Sequence, residues 1–400
     1  MLIPVHLKNE FFFNKFFFYL NLSLFYFHII MRLSRIFNFY KNTLLIPGPI
    51  TTSFKVKQSM ALDIASREHK FVDIIKNVQK NILDISKVSQ KNYACVLLQG
   101  SGTYANESVV GSFPSNSKIL TLSNGIYGDR IHDIANTLKI HSNKVECDIK
   151  KPISIIDLED NYTDESHISI IHHETSNGIV NRVEEIAEFC SNNDKILHVD
   201  GISGLGGIPI EIEKLGIDYY VGSSNKCFHA FPGISFVIAK KKTLELSKNH
   251  RKSLSLDLYG QYIEFERNNQ FRYTPPPQIV NSMDVALQEL IEEGGVEVRY
   301  QAYLKKNKLL RSRLEEAGLE SYISQEVQGP IMVLFRYPWS GFSFYELYLK
   351  LLEKNIVIYS AQINNEDVFR LGNIGHISYQ DLNTYIDYIL EAIDEMREKN

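Results

Sequence analysis

The feature that most constrains this chain is a rhythm that begins near residue 42: short apolar, β-branched runs, each followed by an amphipathic stretch. Tyr93–Leu98, Lys118–Leu122, His167–His172, Ile196–Val199 and Asp218–Val221 are runs of this kind. A strand that is apolar along its whole length must be covered on both faces. Helical patterns lie between these runs, one starting near Thr103, one near Tyr127 and one over Asn181–Cys190. Such alternation specifies an α/β domain on a mostly parallel sheet, and Ile234–Ala239 adds a further expected strand.

The rhythm changes at Tyr273-Thr274-Pro275-Pro276-Pro277, where prolines halt one element and open the next. Two long helical patterns follow over 277–293 and 295–317, split at Gly294-Gly295. Beyond them the pattern predicts a strand at Ile331–Phe335, a helix at Phe344–Lys354, strands at Ile356–Tyr359 and Val368–Leu371, and a helix at Tyr379–Glu398. The expected organisation is an apolar extension over 1–40, a large domain over 41–275, and connecting helices with a smaller α+β domain over 276–400. No internal repeat is visible.

Composition removes several classes. With 44% hydrophobic and 22% charged residues, the chain can bury a core, and global disorder is excluded. A formal charge of −4 argues against a general nucleic-acid binder. The four cysteines, Cys95, Cys147, Cys190 and Cys227, form no C-x-x-C pair, which fits a reducing compartment and neither a disulfide scaffold nor a metal site.

The N-terminus is lopsided: ten of the 23 Phe residues lie within residues 1–40. Phe11 to Ile30 is long enough to span a bilayer, which takes about 20 apolar residues. Asn14, Lys15, Asn21 and His28 interrupt it, and a charge near a helix centre costs about 2.5–3.5 kcal/mol on insertion. No basic segment precedes it and no small-residue cleavage site follows, unlike a signal peptide. Three accounts stand open: translation from Met31, a membrane anchor flanked by Arg32 and Arg35, or organelle targeting. Without the prefix the chain is expected to be cytoplasmic, with membrane contact only if residues 11–30 are made and inserted.

Three features carry chemistry. Gly100-Ser101-Gly102-Thr103 lies between an expected strand and an expected helix, where backbone N–H groups and the helix dipole form an anion cradle. It matches neither the G-x-x-x-x-G-K-[ST] loop nor the G-x-G-x-x-G turn. Asp200 ends the run Ile196–Val199, at the strand end where open α/β sheets bind ligands. Lys226 follows another apolar run, among Ser224, Asn225 and Cys227, where a partly desolvated amine can condense with a carbonyl. Each alone is unspecific, since it also suits a plain turn, a helix cap or a surface charge. In this order they match the needs of pyridoxal 5′-phosphate: donors for its phosphate, a carboxylate for its ring nitrogen and an amine for its aldehyde.

From about Leu44 to Ile377 the chain resembles the class V aminotransferases of fold type I. The likeness rests on Leu45-Ile46-Pro47-Gly48-Pro49-Ile50-Thr51-Thr52-Ser53, Val96-Leu97-Leu98-Gln99-Gly100-Ser101-Gly102-Thr103, His173-Glu174-Thr175 and Asp200. It continues through Gly207-Ile208-Pro209, Ser224-Asn225-Lys226-Cys227, Ser255-Leu256-Asp257-Leu258-Tyr259, Arg272-Tyr273-Thr274-Pro275-Pro276 and Phe369-Arg370-Leu371-Gly372-Asn373-Ile374-Gly375. The resemblance implies a pyridoxal-phosphate-dependent transferase with a large and a small domain, working as a homodimer. It implies that Lys226 is the catalytic amine joined to the cofactor, and that Asp200 holds the ring nitrogen's proton. Ser101, Gly102 and Thr103 would bind the phosphate, with Thr274 reaching across from a second subunit. Tyr127 would stack on the ring and Thr175 would hydrogen-bond near its 3′ oxygen. Arg370 would bind the substrate's acidic group through its planar fork, and Arg67 is a second candidate for that group.

Within the family the likeness points to members that pass the amino group of 2-aminoethylphosphonate to pyruvate, giving phosphonoacetaldehyde and alanine. A serine or alanine–glyoxylate aminotransferase is the alternative within the class. A non-catalytic, membrane-tethered scaffold is the alternative outside it. Three stretches depart from the family's usual pattern: Gly201-Ile202-Ser203-Gly204 after the aspartate, Ser176-Asn177-Gly178 after Thr175, and His229-Ala230-Phe231 after the lysine. The last two are expected near the cofactor and put the identity of the amino donor in question.

Overall fold

A computed structural model describes residues 42–399. The apolar stretch Phe11–Ile30, Met31, Arg32 and Arg35 lie outside the described residues. Residues 44–399 lie within one compact unit, and no helix among the described residues is long and apolar enough to cross a membrane.

The centre is a seven-stranded sheet: β1 (Tyr93–Gln99), β2 (Lys118–Ser123), β3 (His141–Glu146), β4 (His167–Ile171), β5 (Ile196–Asp200), β6 (Tyr219–Ser223) and β7 (Ile234–Lys240). Its spatial order is β1-β7-β6-β5-β4-β2-β3. β2 to β6 pair in parallel, whereas β7 runs antiparallel to both β1 and β6. All residues of β4 and β6 are buried, as their unbroken apolar runs require. Val96, Ile168, Ile170, Val199 and Val221 are fully buried, and burying such a side chain contributes about 1.5–3 kcal/mol.

Two features of the sheet differ from what the sequence announces. β3, His-Ser-Asn-Lys-Val-Glu, is an edge strand with Val145 as its one buried residue, so it carries no apolar run. β7 was expected, but its direction was not. Residues 224–233 join it to β6 without a crossover helix, and a link that short returns the chain antiparallel. The return turns at Gly233, whose φ of +132° is open to glycine and costly for other residues. This link carries Lys226.

Helices α1 (His69–Ile85), α2 (Gly102–Gly111), α3 (Ile126–Thr137) and α4 (Val183–Asn192) belong to the same part of the chain. Further on, α5 (Pro277–Glu292) starts with proline in its first turn and stops at Gly294, φ +104°, before α6 (Gly295–Glu316). A three-stranded antiparallel sheet then forms from β8 (Met332–Arg336), β9 (Tyr359–Ile363) and β10 (Glu366–Gly372), with β10 in the middle. Helices α7 (Phe344–Glu353) and α8 (Tyr379–Arg397) share an apolar cluster with this sheet, built from residues such as Leu310, Phe335, Leu351, Phe369 and Ile386.

Candidate active site

The strand ends that point the same way converge on one cavity of about 220 Å³. β1 ends at Gln99, and the chain passes through Gly100 into Ser101, the N-cap of α2. A Cβ on Gly102 would overlap the Ile202 side chain, so with glycine here the first turn of α2 packs against the Asp200 loop without displacing Ile202. β5 delivers Asp200, and the link after β6 delivers Lys226. Ser101, Gly102, Thr103, Tyr127, Thr175, Asp200 and Lys226 all line the cavity.

Asp200 is buried, with 5% of its surface exposed. Its Oδ1 accepts from the Ile202 N–H at 2.9 Å and its Oδ2 from Asn106 Nδ2 at 2.6 Å. Asn106 Oδ1 contacts His198 Nε2 at 3.1 Å, and His198 Nδ1 contacts Ser169 Oγ at 3.2 Å, so a buried polar chain supports the carboxylate from below. Burial raises the Asp200 pKa against the downward pull of those two donors. A buried carboxylate in that state gains from a cationic N–H partner.

Lys226 donates from Nζ to the Pro47 carbonyl at 3.0 Å. A Cβ on Gly48 would collide with the same amine, so the Pro47-Gly48 backbone closes over it. Burial lowers the Lys226 pKa to about 8, and the nearby Arg370 charge pushes the same way. Near neutral pH the amine therefore spends far more time uncharged, and nucleophilic, than a surface lysine does.

Tyr127 stands in the first turn of α3. That turn is held by Glu174, whose Oε2 accepts from the Tyr127 and Gly128 N–H groups at 3.3 Å each. Glu174 is buried and pushed up to about 7. His173, one residue earlier, also lines the cavity and is kept neutral by burial, with its pKa lowered to about 3. Its Nδ1 meets Ser203 Oγ at 3.1 Å, while its buried Nε2 has no partner.

Three expected residues lie elsewhere. Arg370, on β10, lines a neighbouring cavity of about 770 Å³ together with Lys144, Asn177 and Gln362. Its Nη2 reaches the Ser360 carbonyl at 3.5 Å, its buried Nε has no partner, and burial lowers its pKa. Arg67 and Thr274 are exposed and share a third cavity with Arg272 and Tyr273, away from the cofactor cavity. Sequence reasoning missed Asn106, Arg130, His173, Ser203, Ser223 and Asn225, all of which line the central cavity. Asn106 and Arg130 sit one helical turn beyond Thr103 and Tyr127, a spacing that puts them on the same face and was the available signal.

The departures have structural reasons. The ring of Tyr220 occupies the space that a Cβ at Gly201 would need. Ser176 donates to Glu174 Oε1 at 2.5 Å, and Asn177 ties the Asn124 and Ile149 carbonyls. His229 points away from the cofactor cavity, its Nε2 lying 2.5 Å from Tyr303 Oη and 3.1 Å from the Gly375 N–H.

Residues 55–361 match the family described as aminotransferase class V. The chain is 37% identical to a 2-aminoethylphosphonate–pyruvate transaminase of Lysinibacillus sphaericus over 350 residues, covering 86% of this chain and 96% of the relative. A protein of that name from Bacteroides fragilis is also 37% identical, over 87% of this chain and 98% of its own. Among solved structures, an alanine–glyoxylate aminotransferase from Nostoc matches with a TM-score of 0.80 at 21% identity, over 88% of this chain and 94% of that one. A phosphoserine aminotransferase from Cytophaga hutchinsonii matches with 0.77 at 20%, over 88% and 98%. At such identities the structural likeness speaks for the fold alone.

Proposed function

The chain belongs to the class V aminotransferases, and from that premise we propose that it transfers the amino group of 2-aminoethylphosphonate to pyruvate, giving phosphonoacetaldehyde and L-alanine. The observation that carries the reading is the cavity in which Lys226, Asp200 and the 101–103 turn face one another. The names of the relatives at 37% identity supply the substrates.

The donor set fits pyridoxal phosphate. A buried carboxylate has its pKa raised and forms no ion pair among the described residues, a buried amine has its pKa lowered, and a small-residue turn opens a helix. When bound, the cofactor supplies an aldehyde for the amine exchange and a ring that withdraws electrons from the reacting carbon. The backbone N–H groups of Gly102 and Thr103 and the Ser101 hydroxyl would hold its phosphate. Asp200, kept in place by Asn106 and Ile202, would hold the ring nitrogen's proton. Tyr127 would pack against the ring, and Thr175 would hydrogen-bond at its edge.

Lys226 Nζ would take the proton from the substrate carbon that bears nitrogen and pass it to the cofactor's aldehyde carbon, and in the pyruvate half-reaction it would move a proton the opposite way. Arg370 binds the phosphonate in one half-reaction and the pyruvate carboxylate in the other, and its charge is near enough to act on Lys226. Thr274 lies outside the cofactor cavity of its own chain, which supports a homodimer in which it serves the partner's site. The four unpaired cysteines support a cytoplasmic setting.

The test is alanine formation from pyruvate, with 2-aminoethylphosphonate compared against serine–pyruvate and alanine–glyoxylate pairs. Fastest turnover with 2-aminoethylphosphonate is expected, and a faster carboxylated donor would overturn the substrate assignment. A purified protein that gains no visible absorption band with pyridoxal phosphate would overturn the enzyme assignment itself.

A further inference from the structure

The charged side chains lining the cofactor cavity are Asp200, Lys226 and Arg130, and the reading above leaves Arg130 without a task. It lies one turn along α3 from Tyr127, with its guanidinium carbon 4.8 Å from the centre of the Tyr127 ring. Its Nη1 donates to Thr103 Oγ1 at 3.3 Å, which puts the group at the rim of the turn that opens α2. Among the described residues it forms no ion pair. The adjacent Asp129 is taken by Lys144 at 3.0 Å and by Ser123 Oγ at 3.0 Å. A guanidinium has five N–H donors, so one hydroxyl and one aromatic face leave most of them free.

The charge balance at the turn asks for such a group. A phosphate monoester carries about −1.5 to −2 near neutral pH, while a helix N-terminus offers roughly +0.5. In that reading Lys226 is committed to the cofactor's aldehyde, and Asp200 is an anion. We infer that Arg130 is the counter-charge to the cofactor's phosphate, its guanidinium plane held over the cradle by the ring of Tyr127. This rests on the pyridoxal phosphate reading and gives α3 two tasks one turn apart, stacking on the ring and neutralising the phosphate.

The test titrates apoprotein with pyridoxal 5′-phosphate and with pyridoxal, which lacks the phosphate, following the visible band. Wild-type protein that binds neither aldehyde would sink the cofactor assignment itself, independently of Arg130. Arg130→Gln is expected to weaken pyridoxal phosphate binding about 10- to 100-fold, the range for a charge-assisted hydrogen bond. It should leave pyridoxal binding within about twofold, and Arg130→Lys should recover part of the loss because it keeps the charge. Equal weakening of both aldehydes would overturn the inference in favour of a role through Tyr127. Unchanged affinity for both, with a raised KM for 2-aminoethylphosphonate, would overturn it in favour of substrate contact. No change in any of these would leave Arg130 as a surface charge and would equally refute the inference.

Discussion

Gly201→Ala is a one-methyl change with a large expected cost. The added Cβ would lie closer than 3.0 Å to Cε1, Cζ and Oη of Tyr220, a separation that real Cβ contacts essentially never show. Tyr220 has no room to yield: it is fully buried, and its hydroxyl meets His172 Nδ1 at 2.7 Å. Overpacking costs about 1–3 kcal/mol, and a displaced ring that abandons buried His172 adds about 1–3 kcal/mol. The expected loss is about 4 kcal/mol out of a total that is typically 5–15 kcal/mol. The damage reaches the site because Gly201 N–H donates to the Val221 carbonyl at 3.0 Å and Asp200 is the preceding residue. Pyridoxal phosphate should therefore bind more weakly as well. Urea unfolding of the apoprotein checks the first effect, and cofactor titration checks the second. The decisive comparison is the Tyr220→Leu background, where the ring is gone. There Gly201→Ala should cost less than about 1 kcal/mol, since alanine restricts the unfolded chain more than glycine does. An equal cost in both backgrounds would refute the steric argument.

Other outcomes follow from the same geometry. Asn106→Ala removes the 2.6 Å bond to Asp200, and its coupling energy with Asp200→Ala in a double-mutant cycle should be about 1.5–3 kcal/mol; a coupling below about 0.5 kcal/mol would show that Asn106 does not act through the carboxylate. Because the Lys226 pKa is lowered to about 8, its neutral fraction rises with pH up to that value. The rate at which apoprotein gains its visible band should climb about tenfold per pH unit well below 8 and level off above it, whereas a climb continuing to pH 10 would contradict the burial effect. Lys226→Ala should lose the band. His167 and His172 have pKa values lowered to about 4, and His173 and His198 to about 3, so each binds a proton in the unfolded chain, near 6.5, before it does in the folded one. Their stabilisation is complete above about 6.5 and falls as the pH drops, by about 1.4 kcal/mol per unit per histidine, while Glu174 and Asp284, raised to about 7 and about 6, oppose it. For these six groups the net expectation is a loss of about 4 kcal/mol between pH 7 and pH 5, and an unchanged urea midpoint would refute it.

Much of the fold was legible because buried strands announce themselves. Tyr93–Leu98, Lys118–Leu122 and Ile196–Val199 each became a strand of the central sheet, extended by a residue or so. The helix break at Gly294-Gly295 was equally plain, since glycine at positive φ interrupts a helical pattern. β3 was illegible because an edge strand exposed to water needs no apolar run. At the site, the small-residue turn, Asp200 and Lys226 could be found because they sit where strands end. Asn106 and Arg130 were harder to find, because their one signal, a spacing of one helical turn from Thr103 and Tyr127, is shared by many polar residues within helices.

The sequence by itself determined the alternation of strands and helices, and with it the α/β class and the strand ends at which chemistry is placed. Periodicity is a local property, so the chain states it directly. Only the tertiary structure decided that β7 returns antiparallel and swings Lys226 over the cavity, that Asp200 rests on Asn106 and His198, and that Tyr220 forbids a methyl at Gly201. Those facts join residues 12 to 94 positions apart. They depend on which surfaces meet once the sheet is assembled, and no local run of sequence records that.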